Sequence, residues 1–342
     1  MTTQRILLLT DWIVKKDDWS FLREMLALGH SCETVGVEIT RKYNSRLEKI
    51  LYLWSGYFLI GLKGFLKRKK FDLVIAYQGV AGLFYSFFKQ LSFNRRPRLV
   101  LMAFFFTKRK NPIYANLRYY FTKAALAGVD KVICYSSKES TYYNRFFGCK
   151  SQKFHFVPYG VNIARIEELL RRNPQAGDFI FSAGSSNRDY KTFFEAVAGL
   201  DTSVVVFAKK YNVAGLTVPD NVELKYDVYG DEYYNHLMSA KFVVVPLDDP
   251  ELSSGQMVLL ESMALGKAVI ITQVWGVTDY VEDNKNALLV ADHVSSDMRQ
   301  KMELLLQKPD LARKLGARAR ERVLENFTVH DMARGVTEAV TH

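Results

Sequence analysis

The stretch LSSGQMVLLESMALGKAVII, residues 252–271, decides the fold, because its residues follow the order of a loop, a short helix and a buried strand. Ser254 is a typical helix N-cap, and Gly266 suits the left-handed residue that ends a helix. These two signals predict a helix of about 11 residues between them. The run AVII after Gly266 predicts a strand.

The start of that helix is predicted to bind an anion. The backbone N–H groups of Gly255, Gln256 and Met257 have no acceptor inside the helix and carry partial positive charge. A diphosphate is stabilised there without a lysine. Because Gly255 lacks a Cβ, the backbone can approach the phosphates closely.

Glu261 interrupts the apolar stretch MVLLESMAL. A carboxylate at that point costs free energy unless it meets hydroxyls, N–H groups or a cation. A ribose diol is a suitable partner. The alternative is a glutamate that points to solvent while Met257, Val258 and Leu265 face the core. The local pattern leaves both interpretations open.

Strand patterns alternate with segments long enough for helices. In the first half the predicted strands are 5–10, 31–39, 71–77, 98–104 and 130–136, and in the second half they are 178–184, 202–208, 222–228, 241–247, 267–273 and 287–292. This alternation predicts largely parallel sheets with helices on both faces.

At 342 residues the chain is long enough for two domains. We predict a first Rossmann-like domain over residues 1–170 and a second over 171–328. The polar segment 171–178, with Pro and Gly, is the predicted linker. A last helix is predicted over residues 329–342.

The net charge of +11 is unevenly distributed. Residues 1–170 hold 28 Lys and Arg against 12 Asp and Glu, whereas residues 171–342 hold 19 against 24. The first half is therefore expected to face something anionic, such as a membrane leaflet, a lipid diphosphate or a nucleic acid.

The three cysteines are too few and too irregularly spaced for a disulfide framework or a metal site. The short apolar run near the N-terminus fits a strand better than a signal peptide, and no stretch is long enough to span a membrane. We expect a cytoplasmic protein, located in part on the inner face of the membrane.

Residues 252–271 resemble the donor-site signature of the glycosyltransferase family 4 group, which are retaining enzymes with the GT-B fold. Three further stretches are similar to family segments: WGVTDYVEDNKNALLV (275–290), FVPYGVN (156–162) and FIFSAGSSNRDYKTFFEAV (179–197). The resemblance covers roughly half of the chain. It implies two doubly wound domains that face a central cleft, with the last helix packed back on the first domain.

The resemblance also implies roles for single residues. Glu261 falls on the family's second signature Glu, which holds the nucleotide ribose. Arg188, which follows Gly184 at the end of a strand, falls where the family usually has a Lys, and Lys191 is a second candidate. A cation there offsets charge on the departing nucleotide. The alternative is that this helix start is solvated surface.

The chain departs from the family pattern at the donor loop. Ser253 stands in the place of the first signature Glu, which in relatives contacts the transferred sugar. Asp248, Asp249 or Glu251 could substitute for it, or the acidic loop is a plain turn. The first domain also has no histidine in its loop at 104–111, where relatives carry one. We assign no metal and no cofactor.

The stretch 47–70 has an apolar, aromatic centre and a basic end. It is typical of an interfacial helix, and equally of a core helix that ends in a basic turn. We favour the core helix.

The stretch 104–123 is also basic and aromatic, and its Lys108, Arg109 and Lys110 are predicted to contact an acceptor diphosphate or anionic lipid headgroups. Trp12, where relatives often have glycine, is assigned to the same acceptor or membrane side.

The sequence therefore predicts a metal-independent glycosyltransferase of hexosyltransferase type. It would move a sugar from a nucleotide-sugar donor to a lipid-linked or polysaccharide acceptor. A UDP-sugar is expected because such donors are more common than GDP-sugars, and retention of configuration is implied by the family resemblance only. The donor signature lies in the second domain, which leaves the basic first domain for the acceptor. The alternatives are a catalytically silent protein that binds a sugar or a partner, and a GT-B UDP-sugar epimerase. No motif in the sequence supports the interpretation as a nucleic-acid-binding protein.

Overall fold

The computed structural model describes residues 3–14, 19–37, 46–92, 96–102, 104, 106, 111–149, 153–172 and 175–341. The chain divides into two units, of which the first comprises Met1–Val157 with Ala333–His342 and the second comprises Pro158–Met332. Each unit has its own six-stranded parallel sheet. The prediction of two doubly wound α/β domains is confirmed.

The sheet of the first unit has the strand order β2-β1-β3-β4-β5-β6. Its strands are β1 (Arg5–Thr10), β2 (Ser31–Gly36), β3 (Leu73–Ala76), β4 (Arg98–Leu101), β5 (Lys131–Cys134) and β6 (Phe154–Phe156). Every residue of β3 is buried, as expected for a strand covered on both faces. The sequence predicts the first five strands. It misses β6, because three residues at a sheet edge give too short a pattern.

Helices α1 (Ser20–Ala27), α2 (Arg46–Lys67), α3 (Gly79–Leu91), α4 (Pro112–Leu126) and α5 (Ser137–Phe146) connect these strands. The side chains of Asn111 and Ser136 cap α4 and α5 by accepting backbone N–H groups of the first turn. The last helix of the chain runs over Val329–Thr341 and is numbered α13. Its Val340 carbonyl accepts a hydrogen bond from Arg98 of β4.

Helix α2 is the segment that the sequence leaves open between a core and an interfacial helix. Ile60 is fully buried, and a Cβ on Gly61 would lie 2.9 Å from the Ala81 carbonyl oxygen, so one face packs closely on α3. The opposite face exposes Leu59 and Leu66, and Trp54 and Phe58 are partly exposed at the edge that contacts Phe84 of α3. The helix therefore has one core face and one exposed apolar face.

The sheet of the second unit has the order β12-β11-β10-β7-β8-β9. Its strands are β7 (Phe179–Ala183), β8 (Ser203–Ala208), β9 (Val222–Tyr226), β10 (Phe242–Val245), β11 (Val269–Thr272) and β12 (Leu288–Val290). All six lie within the segments that the sequence predicts. The valine and isoleucine runs of β10 and β11 are fully buried.

The helices of the second unit are α6 (Ile163–Arg171), α7 (Tyr190–Val197), α8 (Lys210–Val213), α9 (Asp231–Ser239), α10 (Gln256–Ala264), α11 (Ser295–Gln307) and α12 (Pro309–Asn326). They cover both faces of the sheet, so that the unit has two apolar clusters. One contains Leu259 and Met263 of α10, and the other contains Phe193 of α7 and Met302 of α11.

The break between the units comes earlier than the sequence suggests. We expected the first domain to end at residue 170, before the linker 171–178. In the structure Ile166 and Leu169 of α6 are buried in the core of the second unit, so the break falls at Val157. The functional roles of the two domains stay predictions.

Within the described residues, none of the helices combines the length and the hydropathy that crossing a bilayer requires.

Candidate functional site

The second sheet has a topological switch point between β7 and β10. Strands β8 and β9 extend the sheet from one side of β7, and β10 to β12 extend it from the other. The connections that leave β7 and β10 therefore run in opposite directions and open a crevice at the carboxyl ends, where open α/β sheets bind ligands. Residues 184–189 and 246–255 form the two sides of this crevice.

Asn187 joins the two sides. Its backbone is left-handed, with a φ of 53°, which asparagine tolerates better than most residues. Its side-chain amide donates to the carbonyl of Asp249 and to Oγ of Ser254, both at 3.0 Å. Its Oδ1 accepts the N–H of Asp249 at 2.8 Å. Three hydrogen bonds thus hold the loop that precedes α10.

The N-cap of α10 is Gly255, and the helix starts at Gln256, so the predicted Ser254 cap is wrong. Gly255 has a φ of 88°, a conformation that costs other residues about 1–2 kcal/mol. The hydroxyl of Ser254 is already hydrogen-bonded across the crevice. The Gly255 carbonyl accepts the N–H of Leu259 at 3.0 Å, which closes the first turn. The N–H groups of residues 256–258 consequently point out of the helix start.

The end of α10 follows the sequence prediction. Gly266 has a φ of 73°. Its N–H donates to Met263, and the N–H of Lys267 donates to Ser262, both at 2.9 Å, which is the Schellman arrangement. The helix has nine residues rather than about 11, because it starts after Gly255 and its last residue is Ala264.

Ser253 and Gln256 form a buried polar pair at the base of the loop. The amide of Gln256 donates to Oγ of Ser253 at 2.6 Å. Gly276 packs directly against them, since a Cβ there would lie 2.6 Å from the backbone nitrogen of Ser254. Ser253, which stands in the place of the family's first signature Glu, is therefore bound into the loop by its own hydroxyl.

A cavity of about 280 Å³ opens at this edge of the second sheet. It approaches the lower end of the volumes typical of small-molecule sites, about 300–1,000 Å³. Its walls come from the ends of β7 and β8, the segment between β9 and α9, the start of α9 and the first two turns of α10. They include Gly184, Lys209, Tyr229, Met257 and Glu261.

Glu261 lies in the cavity wall with its carboxylate between two tyrosines. Its Oε2 accepts the hydroxyl of Tyr233 and its Oε1 accepts the hydroxyl of Tyr234, both at 2.8 Å. Burial raises the pKa of Glu261, and the two tyrosine bonds oppose that shift because they favour the ionised form. Glu261 is therefore not the solvent-facing glutamate of the alternative interpretation. Its free lone pairs suit the hydroxyls of a diol.

Arg188 is folded against the strand end beside the cavity. Its Nε donates to the Ala183 carbonyl at 3.0 Å and its Nη1 donates to the Ser186 carbonyl at 2.7 Å. The guanidinium lies across Gly184, where a Cβ would overlap it. Burial lowers the pKa of Arg188, so the charge is held in a poorly solvated place next to a cavity wall.

The other predicted residues are spread more widely. Lys191 is exposed on α7, where its Nζ lies 4.0 Å from the Glu195 carboxylate, and it does not line the cavity. Met257 lines the cavity and is exposed. Trp12, in the first unit, packs edge-on against Trp19 at a centroid distance of 5.3 Å.

The remaining three predicted residues, Lys108, Arg109 and Lys110, lie outside the residues that the structure describes.

Among the cavity residues that the sequence does not predict, five have polar or charged side chains with contacts at the site. Tyr233 and Tyr234 hold Glu261, while Lys209 pairs with Asp227 and lies 5.1 Å from the ring centroid of Tyr229. All five line the cavity. The adjacent tyrosines were the available signal, but their role depends on α9 lying beside α10, which the local pattern does not encode.

His293 lies between two carboxylates near the other end of the crevice. Its Nδ1 is 3.0 Å from Asp189 and its Nε2 is 3.5 Å from Asp248. One ligand atom from each residue falls within 4.8 Å of the others, so the group has a composition that could hold a cation. Asp189 also caps α7 by accepting the N–H of Thr192, which gives this cluster a structural role.

Two family models match the chain. The model described as Glycosyltransferase Family 4 matches residues 20–165, and the model described as Glycosyl transferases group 1 matches residues 197–322. An uncharacterized glycosyltransferase, MJ1178 of Methanocaldococcus jannaschii, is 27% identical over 212 residues. That match covers 59% of this chain and 57% of the relative, so the chain spans less than two thirds of it.

Two solved structures resemble the whole chain. Sucrose-phosphate synthase from Thermosynechococcus elongatus superposes with a TM-score of 0.75 at 16% identity, covering 98% of each chain. Anabaena HepE in complex with UDP and glucose superposes with a TM-score of 0.67 at 13% identity, covering 99% of each chain. At these identities the likeness concerns the fold alone.

Proposed function

We propose that this chain, which belongs to the group 1 and family 4 glycosyltransferases and has the GT-B fold, transfers a sugar from a UDP-sugar to a lipid-linked or polysaccharide acceptor. The observation that carries this proposal is the cavity of the second unit. It brings a buried carboxylate and an uncapped helix start to one sheet edge, at a switch point.

The donor's nucleotide occupies the cavity in this proposal. Glu261 accepts the two ribose hydroxyls, because a carboxylate whose oxygens face a small cavity matches a vicinal diol. The N–H groups of residues 256–258 stabilise the diphosphate with the partial positive charge of the helix start. UDP is the preferred nucleotide because Anabaena HepE, of the same fold, is described in complex with UDP and glucose.

Transfer breaks the bond between the sugar's anomeric carbon and the diphosphate. Negative charge then develops on the leaving phosphate, where the helix start and a nearby cation stabilise it. Arg188 takes this role from beside Gly184. Lys191, the second candidate from the sequence, does not line the cavity and is not assigned this role. The leaving phosphate itself accepts the proton of the acceptor hydroxyl, and the configuration is retained. We propose that the reaction needs no metal ion and that the enzyme is of the hexosyltransferase type.

The acceptor is assigned to the first unit, which carries most of the positive charge. Trp12 follows β1 and contacts Tyr77, which follows β3, with ring centroids 5.6 Å apart. These strands are adjacent in the order β2-β1-β3, so the contact marks the switch point of the first sheet. Lys108, Arg109 and Lys110 are assigned to the acceptor from the sequence alone, since they lie outside the described residues.

A catalytically silent binding protein is the second candidate. It is favoured by Ser253, which offers a hydroxyl already bonded to Gln256 where the family signature has a carboxylate. Such a protein would bind the nucleotide sugar without turnover. The two candidates therefore share the donor cavity and differ in chemistry.

Titration calorimetry with UDP, GDP, ADP and dTDP tests the donor site, followed by an assay for slow hydrolysis of the matching nucleotide sugars with and without EDTA. Selective UDP binding with EDTA-resistant hydrolysis supports the transferase. Binding without hydrolysis, and without transfer to any lipid or glycan acceptor tried, favours the silent binder. Absence of nucleotide binding would contradict both candidates.

A further inference from the structure

Exposed apolar side chains are concentrated in one helical layer of the first unit. Of the 20 large hydrophobic side chains exposed among the described residues, 11 lie on α2, α3 or α4. Leu51 is 62% exposed, Leu117 is 69% exposed and Ile113 is 80% exposed. Scattered exposed hydrophobic residues are ordinary, whereas a concentration of them marks an interaction surface.

The exposed side chains of α2 and α4 adjoin each other. Trp54 of α2 lies 5.7 Å from the ring centroid of Phe84 on α3 and 6.2 Å from that of Phe121 on α4. From these contacts the exposed residues continue at helical spacing along both helices. We name as the apolar patch Leu51, Trp54, Phe58, Ile113, Leu117 and Tyr120.

Basic side chains accompany the patch. Helices α2, α3 and α4 contain seven Lys and Arg residues and one acidic residue, Glu48. One of the seven, Lys89, is buried and paired with Asp130, so it does not contribute to the exposed charge. Lys63, Lys67 and Lys123 are exposed on these helices. Lysine side chains have long aliphatic stems, so their ammonium groups can stay in water beside an apolar face that is buried.

We propose that the apolar patch docks on the surface of an anionic lipid bilayer. The apolar side chains enter the boundary between headgroups and acyl chains, with Trp54 and Tyr120 at the interface, where such rings are favoured. The lysines meet the anionic headgroups. Helices α2 and α4 lie along the surface and do not cross it, in agreement with their length and hydropathy.

Charge favours a lipid surface over a second copy of the chain as the occupant. A symmetric dimer through this patch would place the same basic helices opposite each other, which is repulsive. An anionic bilayer is complementary to them. This inference goes beyond the proposed transfer, because docking requires neither a donor nor an acceptor.

The test is cosedimentation of the full chain with vesicles of phosphatidylcholine, with or without about 30% phosphatidylglycerol. We expect binding to the anionic vesicles that weakens with salt. The variant Leu51→Ser with Leu117→Ser should reduce the partition coefficient at least about tenfold. A matched variant elsewhere, Leu26→Ser with Leu324→Ser, should leave it unchanged. Equal thermal midpoints would show that neither variant unfolds the protein.

Fluorescence locates the contact. Lipids brominated on the acyl chains should quench Trp54, and the quenching should disappear in Trp54→Phe, which keeps an aromatic ring against Phe84. Lack of vesicle binding, equal binding to neutral vesicles, or quenching that persists in Trp54→Phe would overturn the proposal. So would a concentration-dependent dimer in sedimentation velocity that Leu51→Ser with Leu117→Ser abolishes while vesicle binding remains.

Discussion

Glu261 is a buried carboxylate with both oxygens satisfied. Its burial raises its pKa, and each carboxylate oxygen accepts a tyrosine hydroxyl, as buried polar groups generally require. A tyrosine hydroxyl and a ribose hydroxyl offer a carboxylate the same kind of bond. Tyr233 and Tyr234 therefore hold Glu261 in a geometry that suits a diol before any donor is present.

Glu261→Ala should weaken UDP binding at least about tenfold, since bonds from hydroxyls to a charged acceptor contribute about 1.5–3 kcal/mol. Calorimetry measures the loss, and circular dichroism should show an unchanged fold. Glu325→Ala, an exposed glutamate on α12, is the matched control. Unchanged UDP affinity in Glu261→Ala would remove the central assignment of the donor site.

UDP affinity should also depend on pH through Glu261. Because its folded-state pKa lies above the ordinary 4.5, the folded protein holds this proton more tightly than the unfolded chain. Ionisation of Glu261 therefore lowers the free energy of unfolding as the pH rises from 4.5 through the higher folded-state pKa. UDP binding is gained over the same pH range, because the diol binds the ionised carboxylate. Tyr233→Phe removes a bond that favours the carboxylate, so the midpoint of binding should move to higher pH.

The control for the pH series is Glu261→Gln, which removes the carboxylate titration and keeps that of the donor phosphates. Calorimetric titrations of wild type, Tyr233→Phe and Glu261→Gln over the same pH range separate the two contributions. Superimposable profiles for wild type and Glu261→Gln would show that Glu261 does not titrate with binding.

At the scale of elements, α10 is defined by two left-handed glycines with different surroundings. A Cβ on Gly255 would lie 3.1 Å from Leu247, at the end of the helix that faces the crevice. A Cβ on Gly266 would meet open space at the opposite end. The same backbone strain can therefore be introduced at either end of one helix.

Gly255→Ala and Gly266→Ala should each lower the free energy of unfolding by about 1–2 kcal/mol, because alanine is strained at a positive φ. Only Gly255→Ala should also weaken UDP binding, since it displaces the N–H groups proposed to hold the diphosphate. Denaturant unfolding and calorimetry measure the two effects. Equal UDP affinities in both variants would show that the start of α10 does not bind the donor.

How far the sequence predicts such elements depends on how local their signals are. Buried runs such as Val243–Val245 in β10 and Val269–Ile271 in β11 identify their strands directly. Gly266 identifies the end of α10 in the same way. The start of α10 was predicted one residue early, because Ser254 is a good cap locally, whereas its hydroxyl is bonded to Asn187 from another loop.

The cavity of the second unit shows more clearly what the sequence cannot predict. Glu261 is marked by a charge that interrupts an apolar helix, and the family resemblance, not the local pattern, favours the interpretation in which it binds a ligand. Tyr233, Tyr234 and Lys209 could not, because they reach the cavity from α9 and the end of β8, and only the packing of those elements brings them together. Residues that act across elements require tertiary structure, while caps and buried strands do not.

At the scale of the whole molecule, the two units have separate cores and opposite charge. The cluster around Leu7 and Leu101 belongs to the first unit, and those around Leu259 and Phe193 belong to the second. Positive charge is concentrated in the first half of the sequence. Donor binding and surface docking are thus proposed for different units, which makes them separable by experiment.

Hydrogen exchange should show that separation directly. UDP at about 100 times its Kd stabilises the binding unit by about 2.7 kcal/mol, which slows exchange through global opening about 100-fold. We expect this slowing for the buried amides of β7, β10 and β11. The amides of β1, β3 and β4 should exchange as before, because their core is separate from the donor cavity.

The control is a nucleotide that calorimetry shows not to bind, which should change neither core. Equal slowing in both cores would mean that the chain opens as one cooperative unit, and slowing confined to the first core would place the nucleotide in the wrong unit. Slowing confined to the second core would follow from a donor site built entirely by residues 183–261, as the walls of the cavity are. Stability gained from the donor would then stay with the unit that binds it, and the basic helices α2 and α4 would be free to respond to a lipid surface alone.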